Sequence, residues 1–357
     1  MNKALSNNVI WLLVVGYFLW VLADSLFHPA STGVSATVNV FFMIAIATLH
    51  GLRRYSLKEF LIFFVIAFTV SNFYENMSIL TGFPFGHYHY TEALGPKLFL
   101  VPLLIAPAYF GCGYLAWSLA HVFVGVFGNK LRAKQIWRVP LVAAFVMVMW
   151  DLTMDPIAAT VQKQWIWHDG GSYFGVPFVN YLGWLLCVYT IFQLFAIYIS
   201  RQSVASAQQE QSDTTDRGYW YQAVAAYATT GLTWALPALT GGNAVITDAT
   251  GQQWQAMQIY QSMALIAIFT MGFVALLSVL LVDKLEQRSL RRKMPVDSWP
   301  WLCPQRILMT HPADQWAQLR VDLRRSRNTK TGKIPIPVVP FVCAGPKADQ
   351  IACVLGG

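Results

Sequence analysis

Asp151 and Asp155 lie four residues apart in the run MWDLTMDP, inside an otherwise apolar stretch of the 357-residue chain. On a helix that spacing puts both carboxyl groups on one face. Two carboxyl groups close together and away from water do not both ionise, so the pair is expected to retain a proton and to act as an acid. Pro156 follows directly. It has no amide proton and disfavours helix in the residue before it, so the helix is expected to kink or end at Asp155. Glu75, in SNFYEN, is a third acid in an apolar stretch, and ionisable groups in such stretches are functional candidates by default. Any one of these acids is equally well explained as a hydrogen-bonding tie between helices. The three together favour a proton-transfer site.

The flanking residues extend that reading. His87 and His89 (FGHYHY) are candidates to relay protons or orient the acids, and are equally well explained as ordinary interfacial loop residues. Asn72 and Asn180 are candidates to position water. Tyr74, Phe85, Tyr88, Tyr90, Trp150, Trp167, Tyr181 and Trp184 fall near the same level as the acids, with Phe83, Trp165, Tyr173 and Phe174 beside them. An interfacial aromatic belt accounts for part of this set. The rest suits a groove for a long apolar ligand whose reacting end becomes cationic, because aromatic faces attract cations. Gly82, Gly86, Gly170, Gly171 and Gly175 point to tight turns folding back over the site.

The elements that carry these residues are membrane spans. The chain is 56% hydrophobic and 12% charged, about half the charged share of a soluble domain. That composition excludes a soluble enzyme, a disordered protein and a secreted disulfide scaffold. A bilayer core takes about 20 apolar residues as helix. Eight segments qualify, near residues 9–27, 34–52, 59–77, 98–127, 138–160, 176–199, 219–240 and 256–282. The fourth contains Pro102 and Pro107, so it is expected to be kinked or preceded by a short interfacial piece. Alternate connections hold fifteen Lys and Arg on one side and only Lys97 and Lys163 on the other. The positive-inside rule then places both termini in the cytoplasm and the acids toward the opposite face. The expected architecture is an all-α polytopic membrane bundle of about eight helices over 1–282, with a basic cytoplasmic tail over 283–357.

The net charge of +8 is largely that tail's, so it is a topology signal and no argument for nucleic-acid binding. The tail mixes RVDLRRSRNTK with IPIPVVP; it suits either an anionic lipid surface or a poorly ordered extension. The Gln/Ser-rich connection at 200–218 is expected to be flexible. Val21-Leu22-Ala23 resembles a signal-peptidase site, but the apolar run is long for a signal and the charge count works with the segment retained. Cys112, Cys187, Cys303, Cys343 and Cys353 form no CxxC pair and suggest neither a metal site nor a disulfide framework.

The segments NFYEN, GFPFGHYHYT and VPLLI, then MWDLTMDP, then WIWHDGGSYFGVPFVNYLGW resemble a membrane family of carotenoid biosynthesis. That family includes the carotenoid 1′,2′-hydratases acting on bisanhydrobacterioruberin, γ-carotene or lycopene. The resemblance covers residues 55–285 and not the tail beyond 295. It implies addition of water to the terminal double bond of an acyclic carotene end, giving a tertiary alcohol. It also implies a cell inner membrane or thylakoid-type membrane and contact with other enzymes of the pathway. Such chemistry needs an acid to protonate C2′, a site that tolerates the tertiary C1′ cation, and a water. Asp151 or Asp155 is the expected donor, with Glu75 sharing the proton or activating water. No metal, flavin or nucleotide is required, and the sequence has no GxGxxG or P-loop.

Rival classes share some of these features. A carotene or terpene cyclase would use the same protonation and quench the cation with an internal double bond. A membrane prenyltransferase is suggested by DLTMD, but a second acidic motif is wanting: the later acids of the outer connections, Asp169 and Asp248, stand singly. A di-iron oxygenase needs many histidines, whereas His28, His50, His121 and His311 are scattered. A proton-coupled transporter would also bury acids, but the chain shows no inverted repeat.

Overall fold

The computed structural model of the chain describes residues 3–28, 32–201 and 216–293. The tail beyond 293 and most of the 200–218 connection lie outside the described residues. What is described is an all-α membrane helix bundle. Its helices are α1 (Lys3–Phe27), α2 (Thr32–Gly51), α3 (Leu57–Thr81), α4 (Ile105–Val124), α5 (Gln135–Asp155), α6 (Phe178–Ser200) and α7 (Arg217–Ala235). After a single turn at Pro237–Thr240 come α8 (Ala256–Ile266), a π-helical turn (Ala267–Gly272) and α9 (Phe273–Lys293), which run on without a break. Six of these rods are long and apolar enough to cross a bilayer. Large apolar side chains such as Leu12, Phe41, Leu61, Phe73 and Phe269 stand exposed around the outside, where lipid tails would cover them.

The two rods outside that set, α4 and α7, are central. Helix α4 packs against α2, α3, α5, α7 and α9, and fifteen of its twenty residues are buried. A helix ringed by protein need not be uniformly apolar. At the end away from the acids, His50 lies 2.6 Å through Nδ1 from the Tyr114 hydroxyl and 2.7 Å through Nε2 from the Tyr219 carbonyl. There Trp117 also donates to the Tyr55 hydroxyl at 2.9 Å. These buried polar groups find partners across helices, as they must where water is absent.

Short pieces close the other end. β1 (Tyr88–Tyr90) pairs antiparallel with β4 (Trp165–Trp167), in the register Tyr88 to Trp167 and Tyr90 to Trp165. β2 (Lys97–Leu98) and β3 (Val101–Pro102) form a tiny hairpin, and β5 (Val245–Thr247) pairs with β6 (Gln253–Gln255). The expected fourth span is therefore shorter than its apolar run. Residues 97–102 are spent on the β2–β3 hairpin, with Phe99 in the left-handed region at φ 55°, and helix begins only at Ile105. The fifth span runs over Gln135–Val161, close to the expected bounds. Its α-helix ends at Asp155, as Pro156 led one to expect, and the chain goes on through a π turn, Pro156–Val161, whose wider register accommodates a residue without an amide proton.

Candidate active site

Helix α3 is fixed at both ends. A capping box joins Ser56 and Glu59 at its start, and Gly82 ends it in the left-handed conformation (φ 80°) with its N–H on the Ser78 carbonyl. This sets Glu75 in the last turns, beside the strand that follows. Strand β1 alternates, so Tyr88 and Tyr90 turn inward while His89 turns out. Both inward hydroxyls donate to Glu75 Oε2, Tyr90 at 2.9 Å and Tyr88 at closer range. Tyr109, early in α4, donates to Oε1 at 2.8 Å. Burial, and then the charge of Glu75, pushes the Tyr88 and Tyr90 phenols well above the ordinary tyrosine range. They therefore keep their protons and act as donors. Three O–H groups on one carboxyl is the donor set an anion takes.

Asp151 and Asp155 lie one turn apart on the buried face of α5. The side-chain amide of Asn180, in the first turn of α6, donates to both, at 2.6 Å to Asp155 Oδ2 and 3.2 Å to Asp151 Oδ2. Trp165 Nε1 on β4 donates to the other Asp155 oxygen at 2.9 Å. Asp151 Oδ1 is buried without a hydrogen-bond partner. Glu75, Asp151 and Asp155 border one chamber of about 40 Å³, whose wall includes Phe85, Tyr109, Trp150, Trp167 and Trp184. Among the described residues, no Lys, Arg or His lines it. The rings of Tyr109 and Trp184 stack with centroids 4.5 Å apart, and Trp150 meets Trp184 edge-on at 5.9 Å.

The structure thus brings together Glu75, Asp151, Asp155, Asn180, Phe85, Tyr88, Tyr90, Trp150, Trp167 and Trp184. It holds other candidates apart. His87 is exposed, 3.2 Å from Asp169, and His89 faces outward, its Nδ1 2.7 Å from His168 Nε2. Alternation along β1 sends every second side chain away from the acids. Asn72 donates to the Phe68 carbonyl of its own helix at 3.0 Å, Tyr74 is only partly buried, and Tyr181 packs on Tyr173; none of the three lines the chamber. Two roles escaped sequence reasoning. Tyr109 has no motif, and its one signal is a hydroxyl near the start of an apolar span at the level of the acids. Trp165 stood out only as one more aromatic, because its bond to Asp155 depends on the β1–β4 register.

Outside the strand pair, a vestibule of about 250 Å³ is lined by Thr160, Lys163, Asp248 and both Trp165 and Trp167. Burial works against the Asp248 charge, but the Trp254 indole and the Thr250 and Gln252 donors hold its carboxyl below the usual range. That carboxylate is engaged in ordering the β5–β6 turn.

A family profile described as carotenoid biosynthesis protein matches residues 34–248. Bisanhydrobacterioruberin hydratase of Haloarcula japonica is 31% identical over 113 residues, 31% of this chain and 36% of that protein. The aligned stretch thus spans about a third of the length of that curated relative. No solved structure matches the chain. The profile covers well over half of the sequence and contains every acid of the chamber, and on that match the chain belongs to the carotenoid biosynthesis protein family.

Proposed function

We propose that the protein is a carotenoid 1′,2′-hydratase, working on an acyclic end of the lycopene, γ-carotene or bisanhydrobacterioruberin type. The observation that carries this reading is the unpartnered oxygen of Asp151. It is buried beside Asp155 in an aromatic chamber with no basic side chain. Two buried carboxyls bridged by one amide and lacking a cation hold a proton between them. Asp151, with its free oxygen, gives that proton to C2′, and the π electrons of the terminal bond form the new C–H bond. The positive charge left on C1′ faces the rings of Trp150 and Trp184 and the oxygens of Glu75. A water adds through oxygen to C1′ and returns one proton to the aspartate pair. The net change is one water added across the double bond. Glu75 is held in place by three phenols. The related hydratase supports this class of reaction for this chain.

The test is pigment analysis in a host that accumulates lycopene or γ-carotene. Expression of the intact gene should yield products heavier by one water, with the oxygen drawn from labelled water. A product of unchanged mass would identify a cyclase instead. The substrate would reach the chamber from the bilayer, and both chain ends would lie in the cytoplasm.

A further inference from the structure

The acid chamber is too small for more than the reacting tip of a polyene, and it has a neighbour. A second cavity of about 90 Å³ lies among α1, α2, α4 and α7. Ile105, Ala108, Trp150, Met154 and Trp165 line both spaces, so the two adjoin along one wall. Most of the second lining is hydrocarbon, with Val40, Met43, Leu94 and Leu104 away from the shared wall. Beyond it, past Asn39 and Gln164, a third space of about 170 Å³ becomes polar. There Ser35 donates to Asp24 at 2.8 Å, and the Ser25 and Thr240 hydroxyls lie 3.0 Å apart. A hydrocarbon gains by filling the second space and loses by entering the third.

We propose that the second cavity seats the isoprene units next to the reacting one, so that the protein selects linear isoprenoids by the chain behind their terminal double bond. This rests on the hydratase reading for what happens in the first chamber, while the seat itself is a binding property. The shared Met154 side chain is flexible and adapts to a branched chain passing the wall. Val40 lines only the second cavity, and Ala36 lines the second and third; neither borders the acids.

The experiment uses full-length protein in nanodiscs, as wild type, Val40→Trp and Ala36→Phe. Lycopene bound per protein is read by absorbance. Hydration is followed for lycopene and for myrcene, a short acyclic hydrocarbon with the same dimethyl-substituted terminal bond. Thermal melting of helical circular dichroism confirms folding, and the milder Ala36→Phe guards against a misfolded Val40→Trp. Both variants should lose lycopene binding and hydration by about tenfold or more, with myrcene hydration within about twofold of wild type. Unchanged lycopene binding in two folded variants would overturn the seat. Loss of both substrates together, in folded protein, would also overturn it by making the cavity part of the acid chamber. If wild type hydrates neither compound, the reaction assigned to the acids fails. The change in bound lycopene then still decides the seat.

Discussion

At the scale of single residues, the surroundings of the three acids differ in ways their spacing does not show: three phenols on Glu75, one shared amide on the aspartates and an unpartnered oxygen on Asp151. Asp151→Asn should lower conversion by about 10²–10⁴-fold, the usual worth of a general acid, measured as hydrated pigment at equal protein level. Asp155→Asn should fall comparably, since it breaks the shared proton. Wild-type conversion in both would remove the aspartates from the mechanism. Tyr109→Phe deletes one of three donors to Glu75 and leaves a buried carboxyl oxygen without its partner, at a cost of about 1–3 kcal/mol. It should lower kcat roughly tenfold or more with KM little changed; a change confined to KM would make Tyr109 a binding residue only. His87→Ala and His89→Ala should leave kcat within about twofold, because neither faces the acids. Asp151, Asp155 and Glu75 were legible in the sequence because charge in an apolar run stands out. Tyr109 was not, because a tyrosine in a span is as much at home in the core as at a site.

At the scale of elements, the site depends on a thin layer of strand and turn laid over helix ends. Gly183 in α6 lets that layer approach: a Cβ there would lie 2.5 Å from the Pro84 carbonyl oxygen and 2.7 Å from the Phe85 ring. Gly183→Ala should cost about 1–3 kcal/mol as overpacking, read as a lower Tm, and Gly183→Val more. The β1–β4 pair also carries a titration. Partial burial, then the charges of His168 and Lys97, lower the His89 imidazole from its ordinary 6.5. The unfolded chain therefore binds that proton more readily than the folded one. The stability contributed is complete above pH 6.5 and is lost as pH falls from there toward the lowered folded value. Tm should drop on acidification below about pH 6.5, and His89→Gln should lessen the drop; an unchanged drop would assign it elsewhere. Sequence reading foresaw the helices from their apolar runs. It missed the strands, each only two or three residues long, which are held by register and packing more than by propensity. It placed the end of the α-helix at Asp155 from Pro156, but not the π turn that carries the chain on from there.

At the scale of the molecule, the segregation of charge predicts orientation. A reporter placed after residue 201 or at the C-terminus should read as cytoplasmic, and one placed after Lys163 as external. The reverse pattern would turn the acids to the cytoplasmic face. Apolar runs marked all eight rods, but not their arrangement: α4 and α7, the two least fit to face lipid, sit among the others, where His50 meets Tyr114 and Tyr219. One ring shows what that arrangement achieves. Trp165 borders the acid chamber, the apolar cavity and the outer vestibule, while its N–H holds Asp155. An acidic chamber, an apolar cavity and a polar one meet at a partition one indole thick. Trp165→Ala would remove that partition and join the three spaces.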